Sequence, residues 1–310
     1  MTDQHVALVT GATGFLGRHV IKAFDHAGWK TVGTGFTRAD PPTILKANLV
    51  DETAVGDLVD KTAPHIVVHC AANRFPDYCD ANPSAARELN VTATQRVADV
   101  TSSRSIPLIY ISTDYVFPGL PGEAPYEVTS TPNPPNLYGQ TKLDGERAML
   151  DTTKDSGLGI VLRVPVLYGA VDEVTGNKES AINVLMDAVW KAQEKDAKVV
   201  MDDWAQRYPT NTEDVARVCV DIATKYLSAT ENRTSLPKIL QFSSEDRMTK
   251  YQICQVFADI MGLSLDRMVA NKEGGAQDGE AQRPYDTHLS SQSLKDLGIS
   301  TRTMDFTAWW

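Results

Sequence analysis

Residues 6–17 read VALVTGATGFLG: an apolar run, a glycine-rich turn and the first residues of an amphipathic segment. That order predicts a strand, a phosphate-binding loop and a helix. Gly11 lets the chain leave the strand through a tight turn, Gly14 keeps a Cβ out of the place where a pyrophosphate would lie, and Gly17 lets the helix sit close to the sheet. Free N–H groups and the positive end of a helix beginning near Phe15 then face phosphate. The spacing is G-x-x-G-x-x-G, and a turn of this kind also arises wherever a strand reverses closely. Its position between VALVT and LGRHVIKAFDHAGW gives it the context of a dinucleotide site.

Working outward, Gly28 reads as a helix C-cap and Lys30–Gly35 (KTVGTG) as a second strand. An acidic residue at the end of that strand would take a ribose 2′-hydroxyl. Here Phe36, Thr37 and Arg38 follow instead, so the missing acid and the added cation favour the 2′-phosphate of NADP; the plain alternative is a solvated loop arginine. Residues 44–51 (ILKANLVD) predict a third strand and DETAVGDLVDKTA a helix capped by Asp51. HIVVHCAA, residues 65–72, is a near-continuous apolar run, as expected of a strand covered on both faces. A long helical stretch opens at Pro83 and Ser84, and PLIYIS makes the next strand. This alternation predicts an α/β fold with a doubly wound parallel sheet, whose ligands bind outside the carboxyl ends of its strands.

Thr113, Asp114 and Tyr115 follow PLIYIS directly, and Tyr138-Gly139-Gln140-Thr141-Lys142 opens a helix after a proline-rich loop. Tyr138 and Lys142, four residues apart, share one helix face. An ammonium beside a phenol lowers its pKa from ~10 toward neutrality, which makes Tyr138 a candidate proton donor or acceptor at a carbonyl. Thr113, or Ser112 beside it, can donate a hydrogen bond to the same oxygen. A surface tyrosine stacked on a lysine stem is the bland alternative.

The sheet is expected to continue through residues 159–169 (GIVLRVPVLYG). Beyond it come a helix from about Ser180, a strand KVVMD, a helix TEDVARVCVDIATKYL, a strand KILQFSS and a helix beginning near Thr249. Residues 1–170 are therefore read as a dinucleotide-binding unit whose sheet later segments complete. Residues 171–310 are read as a smaller, interleaved lobe on the substrate side. KEGGAQDGEAQ, residues 272–282, reads as a flexible loop. Trp309 and Trp310 either close a core edge or meet a partner.

Composition narrows the function classes. The 310 residues are 42% hydrophobic and 23% charged, ordinary for a globular protein, and the net charge of −10 without a local Lys/Arg cluster argues against nucleic acid. No apolar run reaches the ~20 residues of a membrane span, and a strand begins too early to leave room for a signal peptide, so a cytoplasmic location is expected. Cys70, Cys79, Cys219 and Cys254 fit neither a disulfide framework nor a zinc pattern, and no metal is expected.

Taken together, TGATGFLG, STDYVFPG and PNLYGQTK resemble the extended short-chain dehydrogenase/reductase superfamily, in its dTDP-4-dehydrorhamnose reductase branch (RmlD-like). Within that branch, HCAANRFPD, LNVTAT, GQTKLDGER, QRYPTNTEDVA, MTKYQI and AQRP resemble the family of regulatory β subunits of methionine adenosyltransferase. The resemblance implies an NADP-binding, non-catalytic partner of the catalytic subunit that makes S-adenosylmethionine. It further implies that Thr13, Gly14, Phe15 and Leu16 belong to the phosphate loop, that Phe36, Thr37 and Arg38 meet the 2′-phosphate, and that Asn48 and Leu49 lie by the adenine. Cys70, Arg74, Tyr138, Lys142 and Leu167 are implied to approach the ribose and nicotinamide. The chain departs from that family in two places: Thr113 stands where its members carry Ser, and MDFTAWW is shorter than their tail.

Three functions remain open on the sequence. The first is a regulator that uses an NADP-loaded fold as a module. The second is a reductase of a nucleotide-sugar ketone, with Tyr138 moving the proton, Lys142 orienting the ribose and Thr113 polarising the oxygen. The third is a sensor of the NADPH/NADP ratio. Because Tyr138 and Lys142 also bind cofactor, their presence does not by itself establish turnover.

Overall fold

Seven parallel strands form the central sheet of the computed structural model, which describes residues 4–229, 232–274 and 281–310. The strands are numbered along the chain: β1 Val6–Thr10, β2 Lys30–Gly35, β3 Ile44–Lys46, β4 Ile66–His69, β5 Leu108–Thr113, β6 Gly159–Val164, β7 Leu167–Tyr168, β8 Val199–Asp202, β9 Thr210–Asn211, β10 Ile239–Gln241 and β11 Met268–Asn271. Their order across the sheet is β10-β6-β5-β4-β1-β2-β3, so the winding reverses between β1 and β4. The crevice at that reversal is where a doubly wound sheet accepts a ligand.

Alternation along the strands explains why both faces are covered. Ala7, Val9, Ile66, Val68, Ile109 and Ile160 point to one face, where they meet Val20 and Phe24 of the helix Gly17–His26 and Val215, Cys219 and Ile222 of the helix Thr212–Ser228. Leu8, Val67, Leu108, Tyr110 and Val161 point to the other, against Leu58, Val97 and Met149. β10 and the helix Thr212–Ser228 both come from beyond residue 170, so the late part of the chain contributes a strand and a covering helix to the first sheet. A third apolar cluster joins Tyr168, Leu185, Val189, Met201, Ile253, Phe257 and Phe306, away from that sheet. Trp309 and Trp310 pack onto its edge, with ring centroids 5.3 Å from Tyr168 and 4.8 Å from Phe257 respectively.

Several local expectations shift. The sheet does not run on to Gly169: β6 stops at Val164, before Pro165, which has no N–H to give, and Leu167–Tyr168 pairs with β9 in a separate two-stranded ladder. Asp51 is not the residue that flanks its helix, which spans Ala54–Thr62, yet its carboxylate still accepts from the N–H groups of Thr53 and Ala54 at 2.9 and 3.3 Å. The long stretch after Pro83 is interrupted by a π-helical turn over Glu88–Thr92. Part of the glycine-rich segment read as a flexible loop, residues 275–280, lies outside the described residues. All four cysteines are free. Among the described residues no helix is long and apolar enough to cross a membrane, and no three His, Cys, Asp or Glu side chains converge as metal ligands.

Candidate functional site

The glycine loop forms one wall of an open cavity of 860 Å³. Gly11 has φ +66°, and a Cβ there would stand 2.8 Å from the backbone of Ala71. This fixes the exit from β1 against the end of β4. A Cβ on Gly14 would meet only the Gly11 carbonyl, at 3.1 Å, so that position faces the cavity, as a cradle for phosphate requires. Gly17 serves a different contact from the expected one: its Cβ would fall 2.2 Å from the Gly11 oxygen, so the close approach is between helix and loop, not helix and sheet. The helix starts at Gly17, two residues after the expected Phe15.

Thr13, Phe15, Leu16, Phe36, Arg38, Asn48, Leu49, Cys70, Arg74 and Leu167 line the same cavity, together with Thr113, Tyr138 and Lys142. Thr37 does not. It is exposed and off the wall, whereas Phe36 and Arg38 on either side are on it.

The opposite wall is built by the helix Leu137–Thr153. Asn136 caps it by accepting from the Gly139 N–H at 2.9 Å. Gly139 and Gly145 let it press onto its neighbours, since Cβ atoms there would fall 2.1 Å from the Tyr115 carbonyl and 2.5 Å from the Asn90 carbonyl. A buried ion pair locks it in register: Arg163 of β6 donates to Glu146 at 2.7 and 3.0 Å, and Ser112 donates to the same carboxylate. Ser112 is thereby committed to structure; Thr113, which donates to the Asp114 carboxylate at 3.0 Å, is the hydroxyl of the pair that faces Tyr138.

The electrostatics differ from the sequence-based expectation. Burial pushes the Tyr138 phenol upward, not toward neutrality, and Asp114 and Cys79 add to the rise while Thr113 and Arg74 oppose it. Lys142 is itself pushed down to about 7 by burial, against the pull of Glu146, and its ammonium lies 4.0 Å from the centroid of the Tyr110 ring. Spacing on a helix face predicts neighbours; it does not reveal that Lys142 is buried and Tyr138 half-buried at the cavity wall. Burial also lifts Cys70 to about 12 and Asp114 to about 6, the latter opposed by hydrogen bonds from Thr287 and Thr113.

Residues that the motif reading passed over complete the site. Asn90, in the π-helical turn, accepts from the Asn73 N–H at 2.8 Å and donates to the Asn73 carbonyl and to Thr141. It ties the strand-end loop after β4 to the helix that carries Tyr138; a single-turn π segment is the kind of irregularity that marks such sites. Beside the glycine loop, Glu179 pairs with both Arg18 and Arg38. Across the cavity stand Arg207, Lys250 and Arg283, from the runs QRYPTN, MTKY and AQRP. Arg283 is held by Asp77 at 2.7 Å.

With this geometry in place, the sequence matches the RmlD substrate binding domain family over residues 5–306. It is 41% identical over 296 residues to methionine adenosyltransferase 2 subunit beta of Mus musculus, covering 96% of this chain and 83% of that protein. The Danio rerio subunit is 42% identical over 98% of this chain and 88% of its own length. The chain belongs to the RmlD family, in its methionine adenosyltransferase 2 beta-subunit branch. A dTDP-4-keto-6-deoxy-D-glucose reductase of Streptomyces niveus shares 30% identity, with 97% and 93% of the two chains covered. Among solved structures, dTDP-4-dehydrorhamnose reductase from Bacillus anthracis in complex with NADP superposes with a TM-score of 0.79 at 19% identity, covering 99% of this chain and 96% of that one. That likeness concerns the fold. Beta subunits and a reductase thus both stand among the relatives of this chain.

Proposed function

We propose that this chain is an NADP-binding, non-catalytic subunit that associates with the catalytic subunit of methionine adenosyltransferase in the cytoplasm and tunes S-adenosylmethionine synthesis. The observation that carries the reading is its 41% identity to a beta subunit over 96% of the chain. The geometry agrees with a binding role. The glycine loop has the shape of a phosphate cradle, while the Tyr138 phenol is held protonated by burial and Lys142 is only partly charged at neutral pH.

In this proposal Gly11, Thr13, Gly14, Phe15, Leu16 and Gly17 form the loop that receives the pyrophosphate, the Gly14 N–H being already given to the Gly11 carbonyl at 2.9 Å. Phe36 and Arg38 meet the adenosine 2′-phosphate, with Thr37 supporting the turn from outside. The choice of NADP over NAD rests on Arg38 and on the lack of an acid at the end of β2. Asn48 and Leu49 flank the adenine; Cys70, Arg74, Tyr138, Lys142 and Leu167 flank the ribose and nicotinamide. Residues 1–170 hold the cofactor, and the interleaved lobe of residues 171–310 faces the partner. The test is synthetase kinetics of the catalytic subunit with and without this chain. A changed methionine KM or a longer half-life of activity supports the proposal, and kinetics unaffected at saturating chain contradict it.

A second reading, an NADP-dependent reductase of a nucleotide-sugar ketone, is favoured by one observation: Thr113, Tyr138 and Lys142 all line the cavity. The nicotinamide ring, when bound, supplies the hydride. Thr113 would hold the substrate oxygen, Tyr138 would give it a proton, and Lys142 would orient the ribose. Oxidation of NADPH on addition of dTDP-4-keto-6-deoxyglucose would support that reading.

A further inference from the structure

Glu179 ends a short turn, Gly176–Glu179, and lines the glycine-loop end of the cavity. Its base is pinned: the Ser180 hydroxyl donates to the Leu167 carbonyl and the Asn183 amide to the Gly169 carbonyl, both at 2.8 Å. Its side chain is 6% exposed and pairs with Arg18, from the first turn of the helix after the glycine loop, and with Arg38 at 3.1 Å. Burial pushes this carboxyl up, yet the two guanidinium groups outweigh burial and hold it below the usual range, so it is an anion at neutral pH. Arg18 Nη1, buried, has no hydrogen-bond partner, and Arg74 is a third cation within electrostatic reach. The phosphate end thus already contains a carboxylate in the position of an anionic ligand.

We infer that Glu179, anchored by its pair with Arg18, is an internal anion that occupies Arg38 until a nucleotide 2′-phosphate replaces it, and that it sets the preference between 2′-phosphorylated and unphosphorylated dinucleotides. This rests on the cofactor reading above. A 2′-phosphate carries up to two charges and three acceptor oxygens, so it can win Arg38 from a single carboxylate, at the cost of breaking that pair. A dinucleotide with a free 2′-hydroxyl offers Arg38 no replacement anion, so the Arg38–Glu179 pair stays closed in its complex. The affinity for NADP therefore contains the cost of the exchange and the affinity for NAD does not.

The experiment is titration of the full chain with NADP+ and with NAD+, followed calorimetrically, for the wild type, Glu179→Gln, Arg38→Ala and the double variant. Glu179→Gln should tighten NADP+ binding roughly tenfold and change NAD+ binding less than threefold. The gain should vanish when Arg38 is also replaced, because the coupling runs through that pair. NADP+ affinity that is unchanged or weaker in Glu179→Gln, or a gain that survives Arg38→Ala, overturns the inference. If Glu179→Gln does not fold, Glu179→Asp withdraws the carboxylate by one methylene and should show a smaller gain of the same sign; no gain overturns the inference there too. Wild type that binds neither nucleotide contradicts the cofactor reading; NADP+ binding by Glu179→Gln alone would then uphold the exchange, and binding by neither protein would end both.

Discussion

The two walls of the cavity are built by different means. The glycine-loop wall is backbone: its shape is set by φ angles and by distances of 2.2 to 3.1 Å that leave no room for a Cβ or keep one out of the cavity. The wall carrying Tyr138 and Lys142 is side chain, and what it can do depends on charge states that burial controls. A backbone cradle keeps its shape whatever chemistry follows, whereas a proton relay works only at the right pKa. The contrast shows how one fold could keep a nucleotide cradle while the groups of its other wall serve packing and binding. It also locates where each wall breaks.

The largest effect is expected on the backbone wall. Gly14→Val puts a branched side chain into the cavity where the proposed pyrophosphate would lie, and should abolish NADP binding, by at least roughly a hundredfold, with little change in thermal stability, because only the Gly11 carbonyl is near. Calorimetric titration beside a melting curve checks both halves. Gly17→Ala should differ, losing both binding and stability, since its Cβ would collide with the Gly11 carbonyl.

Next comes the charge state of the other wall. Burial lowers Lys142 to a pKa of about 7 in the folded chain from 10.5 for a free lysine, so the unfolded chain binds more protons between those values and stability should rise with pH across that window. Lys142→Met should flatten that rise in urea titrations run from pH 7 to 10. Asp114 has the opposite sign: a carboxyl raised to about 6 from 3.8 keeps its proton longer in the folded state, so stability should fall as pH rises from 4 to 6, and Asp114→Asn should remove that fall.

The smallest effect sharpens the comparison most. Tyr138→Phe should weaken NADP by only about two- to fourfold, the loss of one hydrogen bond at a wall that only binds. If the chain is a reductase, the same substitution should instead stop turnover while leaving nucleotide affinity nearly unchanged.

How far the sequence was legible follows the same division. β2 falls on KTVGTG residue for residue, and the helix at Thr249 is capped as its composition suggests, because these depend on neighbours along the chain. The break at Pro165 was also written in the chain, but the apolar character of VLYG masked it. What could not be read depends on distant residues meeting. Glu179 lies 161 positions from Arg18, and no local pattern announces their pairing. The direction of the Tyr138 shift needed its burial, which a four-residue spacing does not carry. Asn90 had a signal in LNVTAT, but its partner Asn73 becomes visible only when the π-helical turn brings them together.

The measurement that bears most directly on the central proposal is the dissociation constant between this chain and the methionine adenosyltransferase catalytic subunit of the same organism, by analytical ultracentrifugation with and without NADP. The account predicts a stable hetero-oligomer whose affinity changes with NADP. Two species that sediment independently under both conditions would contradict it.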